Sequence, residues 1–225
     1  MLSIDKAFCF SLKNAQNRRD LLVPEFQKLG INVEYILSEK SKNPELAVSL
    51  CHQEICQKAL DTNWERILVL EDDCRCYDFD PIQFQQINHF LENNKDWDLF
   101  YLGGILGDLW KTKYKGIARI KCAGVHSYII PKRTYQKILD IDYEKSSRAV
   151  DRLYKKIFKC YSPYPLITKQ EDEEFLNSSI NEFRNEQKGR EAKSGTSKMW
   201  ERNRKKEKTQ VYFNNLHKWL FRIDN

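Results

Sequence analysis

Long apolar runs are missing from this sequence of 225 residues. No stretch approaches the roughly 20 consecutive apolar residues that a membrane-spanning helix needs. The first residues also lack the basic and apolar regions of a secretion signal. We therefore expect a cytoplasmic protein with a folded core, which its 41% hydrophobic residues are sufficient to build.

Paired cysteine motifs are missing as well. The seven cysteines have no repeated spacing, whereas a secreted disulfide scaffold more often has an even set in a shorter chain. Cys74 and Cys76 are separated by one residue, and the sequence has no second cysteine pair of this spacing that could complete a zinc site. They are therefore weak evidence for zinc binding. We expect reduced thiols.

The basic charge is concentrated near the end of the sequence. Residues 184–208 contain ten Lys or Arg against four Glu, and the rest of the chain is balanced at 28 against 28. This distribution argues against a nucleic-acid surface across the whole domain. We divide the chain into a domain at 1–183 and a basic, partly helical extension at 184–225. The extension either packs on the domain, stays solvated, or contacts the inner face of a membrane peripherally.

Apolar periodicity in the first half predicts an open α/β sheet. Strands are expected at 6–12, 31–37, 66–70 and 99–102, with helices near 22–29, 44–60 and 81–93 between them. Asp80 followed by Pro81 is a typical helix start. Sheets of this kind bind ligands at the carboxyl ends of their strands.

The second half gives weaker signals. Segments 118–122 and 125–130 are expected to pair with each other around Gly124, and helices are expected near 133–140, 146–158 and 171–186. The stretch 105–116 contains Trp110 and Tyr114 and is interpreted as a mobile flap over an acceptor.

Three acidic residues, Glu71, Asp72 and Asp73, directly follow the apolar run Ile67-Leu68-Val69-Leu70. In an extended chain Glu71 and Asp73 project to one side and Asp72 to the other. Two carboxylates on one side repel unless a proton or a cation relieves them, and a hard divalent ion suits oxygen ligands. The alternative is that all three carboxylates cap a turn in solvent. Nucleases, phosphatases and nucleotide-sugar transferases all use such sites.

An ordered series of further motifs surrounds the acidic triplet. Its members are Ser11-Leu12-Lys13-Asn14 with Arg18, Ser49-Leu50-Cys51-His52, Leu102-Gly103-Gly104, Ala123-Gly124-Val125-His126-Ser127-Tyr128, Val150-Asp151, and Pro165 with Gln170. With the Leu-Glu-Asp-Asp strand end, this series resembles glycosyltransferase family 25, the lipooligosaccharide-type β-glycosyltransferases related to collagen galactosyltransferases.

The resemblance implies a GT-A type fold, that is, a Rossmann-like mixed sheet flanked by helices. It implies inverting transfer of a hexose, galactose or glucose, from a nucleotide-diphosphate sugar, most naturally a UDP-sugar. The acceptor would be a hydroxyl of a glycan, glycolipid or protein. Asp73, with Glu71, would hold Mn²⁺ or Mg²⁺ at the donor diphosphate, and Asp72 would contact the ribose or the sugar.

Other polar residues are candidates for donor binding. Asn14 and Arg18 follow the first strand, where a nucleotide would lie. The Gly103-Gly104 pair permits a close approach of the backbone to a ligand. His52 lies one residue off the apolar stripe expected from Val48, Cys51, Ile55 and Ala59, so it is either structural or a phosphate contact. His126 and Gln170 are weaker candidates.

Asp151 is our candidate for the catalytic base. An inverting transfer needs a carboxylate that takes the proton of the attacking hydroxyl. Asp151 also stands at an expected helix start, where a carboxylate is favoured by the helix dipole alone. Two rival functions stay open: a divalent-metal nuclease or phosphatase, and a non-catalytic nucleotide-sugar-binding module.

Overall fold

The first half of the chain forms a parallel strand–helix–strand unit. In a computed structural model, which describes residues 1–77, 80–124, 126–146, 149–171 and 183, β1 pairs in parallel with both β2 and β3. The elements are β1 (Lys6–Leu12), α1 (Gln16–Gln27), β2 (Val33–Ser38), α2 (Pro44–Asp61) and β3 (Arg66–Glu71). Gly30, with φ of 70°, follows α1 in the left-handed conformation expected after a helix end.

The second half completes a mixed sheet. Its elements are β4 (Cys74–Cys76), α3 (Pro81–Asn93), β5 (Leu99–Tyr101), β6 (Ile105–Lys111), β7 (Ile117–Ala123), β8 (Ser127–Pro131), α4 (Lys132–Leu139), α5 (Val150–Ile157), β9 (Cys160–Pro163) and β10 (Thr168–Gln170). Eight strands form one sheet in the order β2-β1-β3-β8-β5-β9-β7-β6, and β4 with β10 form a separate pair. The predicted α/β class, a mixed sheet flanked by helices, is confirmed.

Strand β3 lies between the two layers of the core. Ile67 and Val69 pack in one apolar cluster, and Leu68 and Leu70 pack in the other. All four are fully buried, because helices cover both faces of the sheet here. This double burial explains why the strand reads as a continuous apolar run and not as an alternating one.

The predicted pairing of 118–122 with 125–130 is wrong. β8 lies between β3 and β5 and is antiparallel to both, whereas β7 pairs with β6 and β9. All five residues of β8 are buried, so this strand belongs in the middle of the sheet. β7 alternates towards exposure at Lys121 and lies beside the edge strand.

The predicted flap is wrong too, because most of it is a strand. β6 is the edge strand and pairs with β7 along residues 108–111. Beyond it, Tyr114 packs edge-on against Phe90 of α3, with ring centroids 5.0 Å apart. The Tyr114 side chain thus contributes to packing.

Two predictions about helices have different outcomes. The start of α3 is confirmed, since the side chain of Asp80 accepts a hydrogen bond from the Ile82 amide at 2.9 Å. The helix expected at 171–186 and the extension at 184–225 lie outside the described residues, apart from 171 and 183. Within the described ranges, no helix has the length and apolar character to cross a membrane.

Candidate active site

The carboxyl ends of β1, β2 and β3 meet at one edge of the sheet, because the three strands are parallel neighbours. Glu71 is the last residue of β3 at this edge, and it is half-buried. Asn14 lies in the exposed turn after β1, and Arg18 stands in the first turn of α1. The fold therefore brings four of the expected donor and metal residues, Asn14, Arg18, Glu71 and Asp73, to the ligand-binding edge of an α/β sheet.

Glu71 and Asp73 face the same side, and Asp72 faces the other. The Gln170 side-chain amide nitrogen lies 3.3 Å from Oε2 of Glu71 and 3.3 Å from Oδ2 of Asp73. Asp72 instead accepts a hydrogen bond from Ser11 Oγ at 2.7 Å. The expected extended triplet is wrong, because β3 ends at Glu71 and Asp72 and Asp73 lie in a turn before β4; the carboxylates nevertheless separate into these two sets of partners. A single amide group thus joins two carboxylates that would otherwise only repel each other.

Strand pairing explains how Gln170 arrives there. β10 pairs antiparallel with β4, which begins directly after the acidic triplet, so that Gln170 lies opposite Cys74. The amide of Glu171 then donates to the Asp73 carbonyl at 2.9 Å. The short β4–β10 pair therefore fixes both the backbone of Asp73 and the amide that its side chain contacts.

Asp72 belongs to a network that ties the acidic edge to β1 and α1. Arg18 Nη1 donates to Asp72 Oδ1 at 2.8 Å, and the Arg18 side chain keeps 16% exposure. Arg19 is buried; its Nη1 donates to Ser11 Oγ at 2.8 Å, and Ser11 in turn donates to Asp72. This network holds the triplet against the turn that follows β1.

The electrostatics at Glu71 are unfavourable for a charged carboxylate. Burial raises its pKa well above the ordinary value of 4.5, and the charges of Asp73, Asp72 and Asp151 raise it further. Arg18 is the opposing influence and lowers it. A proton or a cation at Glu71 would relieve this repulsion.

Asp151 lies in the first turn of α5, near enough for its charge to act on Glu71. Its Oδ2 accepts from the Gly124 amide at 3.1 Å, and its Oδ1 accepts from the Arg152 amide at 2.6 Å. The side chain is half-buried. Asp151 thus occupies the helix-start position that its sequence context indicated, and its role as the base stays a prediction.

His126 and Gly103 pack behind the acidic triplet and β10. His126 is fully buried, its carbonyl accepts from the Glu71 amide at 2.9 Å, and burial lowers its pKa to about 4. Its ring lies 3.3 Å from Thr168 Oγ1. A Cβ on Gly103 would collide with Thr168 and would lie 2.6 Å from His126 Nε2. The glycine therefore permits close packing of three segments.

His52 and Gly104 lie among core residues. His52 contacts the Tyr128 hydroxyl through Nδ1 and packs against Phe10, and burial lowers its pKa to about 3. The buried face of α2 includes Ser49, His52 and Cys56, so the stripe expected from Val48 and Cys51 is rotated. A Cβ on Gly104 would lie 2.5 Å from Cys122 Sγ. Donor contacts of His52 and Gly104 stay predictions.

Three contributors to this edge lacked a distinctive sequence signal. Ser11 links Arg19 to Asp72, Arg75 is buried and donates to the Asp72 carbonyl at 2.9 Å, and Thr168 contacts Ser127 Oγ at 2.5 Å. Ser11 belongs to one of the motifs in the sequence but was given no role there, and Arg75 stands two residues after the acidic triplet. Thr168 becomes evident only through the β4–β10 pairing.

The oxygen atoms at this site are suitable ligands for a hard cation that also binds oxygens of a substrate. No group of three His, Cys, Asp or Glu side chains converges on a common point within the described part of the chain. Glu71 and Asp73 do converge on Gln170, whose Oε1 is buried and has no hydrogen-bond partner among the described atoms. One or two carboxylates plus phosphate oxygens are the typical environment of Mg²⁺. Glu71, Asp73 and the Gln170 amide oxygen are therefore suitable ligands.

Comparison with known proteins gives only distant structural similarity. No family model matches the sequence, and no curated protein matches it. The chain is similar to A197 from STIV, with 12% identity, a TM-score of 0.48, and coverage of 70% of this chain and 81% of that one. It is similar to a glycosyltransferase involved in glycosylation of the major capsid of PBCV-1, with 14% identity, a TM-score of 0.41 and the same coverages. A UDP-glucose pyrophosphorylase complexed with UDP-glucose is similar at 14% identity and a TM-score of 0.43, with 82% of each chain covered.

Proposed function

We propose that this protein is a metal-dependent, inverting glycosyltransferase of GT-A type. It transfers a hexose, galactose or glucose, from a UDP-sugar to a hydroxyl group of a glycan, glycolipid or protein. One observation carries the proposal: the Gln170 amide nitrogen lies 3.3 Å from carboxylate oxygens of both Glu71 and Asp73, at the carboxyl ends of the parallel strands. In the proposal these two carboxylates hold the cation, and Asp151 is the separate carboxylate.

Arg18 and Asn14 would bind the donor nucleotide. Arg18 is in the first turn of α1, where the helix dipole and backbone amides favour phosphate groups. Its hydrogen bond to Asp72 orients the guanidinium towards the acidic edge. Asn14 is exposed in the preceding turn and offers both a donor and an acceptor to a base or a ribose.

Asp73 and Glu71 would hold Mn²⁺ or Mg²⁺, with the Gln170 amide oxygen as a further ligand after rotation of the amide. The ion supplies Lewis-acid stabilisation of the departing nucleoside diphosphate. The chain itself supplies the placement: the β4–β10 pair positions Gln170 beside the triplet, and Arg18 pairs with Asp72.

Asp151 would accept the proton of the acceptor hydroxyl as its oxygen attacks the sugar. The Gly124 and Arg152 amides hold its two oxygens in one orientation. A general base takes up the proton on one of these two oxygens. His126 fixes the backbone of Glu71 through its carbonyl, and Gly103 allows His126 and Thr168 to pack closely.

A panel of nucleotide sugars tests the proposal. We expect one UDP-sugar to raise the melting temperature with Mn²⁺, and nucleoside diphosphate to be released when a hydroxyl acceptor is added. Asp73→Asn should weaken metal-dependent donor binding at least about 100-fold. The matched control is Asp80→Asn, because Asp80 is an exposed helix cap away from the triplet.

The rival functions predict other results. Cleavage of DNA or of a phosphomonoester, without stabilisation by any nucleotide sugar, would favour a nuclease or phosphatase. Binding of a donor that is never turned over with any acceptor would favour a non-catalytic binding module. Unchanged donor affinity in Asp73→Asn would remove Asp73 from the metal site.

A further inference from the structure

A cleft lies at the beginning of β3, whereas the acidic triplet follows the end of that strand. It has a volume of about 300 Å³ and is lined by Glu65, Arg66, Leu91, Lys95, Trp97, Pro131, Lys132 and Arg133. Arg66 begins β3, and Glu71 ends it. Five residue-to-residue steps of extended strand lead from Arg66 to Glu71, which is a distance of roughly 16 Å. The cleft is therefore distinct from the candidate active site.

The lining of this cleft has a surplus of positive charge. Four lining side chains are cationic and one, Glu65, is anionic, which gives 4 − 1 = +3. Glu65 faces Lys132 at 3.7 Å. Arg66, Lys95 and Arg133 form no ion pair with a carboxylate in the described part of the chain. Their charges are thus open to a ligand.

Neighbouring carboxylates are already engaged with other groups. Asp98 pairs with Lys137 at 2.6 Å, and Asp96 pairs with Lys159. Asp5 accepts hydrogen bonds from the backbone amides of Glu65 and Arg66, each at 2.8 Å. These acids therefore reduce the positive potential of the cleft without closing it.

The two arginines are held in place by the protein. Arg66 donates from Nε to the Ser3 carbonyl at 2.7 Å and from Nη2 to Ser3 Oγ at 2.8 Å. The Arg133 guanidinium stacks on the Trp97 ring, 4.6 Å from its centroid, and donates from Nε to the Trp97 carbonyl at 3.0 Å. Fixed guanidinium groups lose little conformational entropy when they bind an oxyanion.

The start of helix α4 adds to the same potential. Pro131, Lys132 and Arg133 are the cap and first two residues of α4, and its first turn contains no acidic residue. Cations are unfavourable at a helix N-terminus, where the dipole is already positive. The sequence thus places two cations at a helix start that disfavours them. A bound anion would offset both their charges and the positive end of the helix dipole.

We propose that this basic cleft binds a phosphate-bearing anion. Exposed Lys95 and Arg133 with half-buried Arg66 and Lys132 surround the charge, while buried Leu91 and Trp97 provide an apolar floor. A phosphate group has two sources, a soluble phosphorylated compound or the headgroup of an anionic lipid. The inference is independent of the sugar-transfer proposal, and its test uses neither a metal ion nor a nucleotide sugar.

Inorganic pyrophosphate is the probe, titrated calorimetrically into the full chain in the presence of EDTA. We expect binding that the double substitution Lys95→Gln with Lys132→Gln weakens about tenfold or more. The charge-matched control, Lys42→Gln with Lys145→Gln, removes two cations outside the cleft and should bind as the unmodified protein does. Circular dichroism confirms that each variant is folded.

Lysine labelling locates the bound probe without any substitution. Pyrophosphate should slow acetylation of Lys95 and Lys132, measured by mass spectrometry, and leave Lys42 and Lys145 unchanged. Vesicles of phosphatidic acid, compared with neutral phosphatidylcholine vesicles, form the lipid arm. Lysine-dependent binding of vesicles alone would support the cleft with a lipid phosphate as its ligand. Absence of lysine-dependent binding in both arms would overturn the inference.

Discussion

The amide nitrogen of Gln170 lies 3.3 Å from the carboxylate of Glu71, although 99 positions separate the two residues. The same nitrogen is 3.3 Å from Asp73. Gln170 therefore acts as the neutral partner of an acidic pair, and Arg18, which pairs with Asp72, opposes the negative charge at Glu71. This relationship determines how the metal-free protein should respond to substitution and to pH.

Replacing the amide with a third carboxylate should destabilise the metal-free protein. In Gln170→Glu a buried negative charge would face Glu71 and Asp73, and we expect a loss of about 3 kcal/mol in the free energy of unfolding with EDTA. Mn²⁺ should restore much of this loss, because it compensates the added charge. Urea denaturation with and without Mn²⁺ measures both effects.

Gln85→Glu is the matched control, since Gln85 is exposed on α3. It should change the free energy of unfolding by less than about 0.5 kcal/mol. A Gln170→Glu protein as stable as this control in EDTA would contradict the contact between the amide and the acidic pair.

Glu71 should make stability depend on pH in the absence of metal. Its pKa in the folded state is raised above 4.5, chiefly by burial and then by Asp73. The folded state therefore retains a proton that the unfolded chain has lost. Its contribution to stability is fully present below pH 4.5 and is lost as the pH rises through the raised pKa, by about 1.4 kcal/mol per pH unit.

Glu71→Gln removes this titration, so its stability should decline less than that of the unmodified protein as the pH rises from 4.5 to 8. Denaturation at several pH values in EDTA measures the difference. Glu92→Gln, at an exposed position of α3, is the control. Parallel pH profiles for the unmodified protein and Glu71→Gln would show that the pKa of Glu71 is not raised in the folded state.

Asp151→Asn should separate donor binding from catalysis. Asparagine keeps an oxygen that can accept from the Gly124 amide, so the fold and the donor affinity should be retained. The turnover number should fall about 100- to 10,000-fold, because the general base is lost. Asp142→Asn, in an exposed turn, is the control. Normal turnover in Asp151→Asn would exclude Asp151 as the base.

Gly103→Ala should impair both stability and metal-dependent donor binding. The added methyl group would collide with Thr168 and His126, at a loss of about 2 kcal/mol in the free energy of unfolding. Displacement of Thr168 would also shift Gln170, two residues later on β10. Donor titration and thermal unfolding measure the two effects.

Gly30→Ala provides the comparison. Gly30 has φ of 70° and lies beyond the end of α1, so the substitution strains the backbone by about 1 kcal/mol at a position outside the site. It should reduce stability while leaving donor affinity unchanged. Equal donor affinities in Gly103→Ala and the unmodified protein would show that the packing at Gly103 does not position Gln170.

Local patterns predicted the first half of the fold well. β1, α1, β2, α2 and β3 follow from apolar spacing and helix-end signals, and their parallel pairing follows from their alternation. The order of the later strands did not follow. The placement of β8 between β3 and β5 depends on long-range pairing, which a hairpin interpretation of neighbouring segments overlooks.

The candidate site was predictable where its residues are neighbours in the sequence. The position of the acidic triplet at a strand end follows from the apolar run before it, although Asp72 and Asp73 lie in a turn and not in the strand. By contrast, the role of Thr168 and the short strands β4 and β10 depend on an antiparallel pairing of three residues each, too short for periodicity to reveal. Ser11 belonged to a recognised motif and Arg19 stood beside one, but only the folded chain shows that they support Asp72.

The β4–β10 pair has a consequence for the order in which the protein is made. β10 is the last strand of the described chain, and it carries the amide that joins Glu71 to Asp73. A nascent chain that has only reached β9 already contains the mutually repelling carboxylates but lacks their neutral bridge. If the proposed cation site uses Gln170, it can form only in chains whose synthesis has passed the whole sheet.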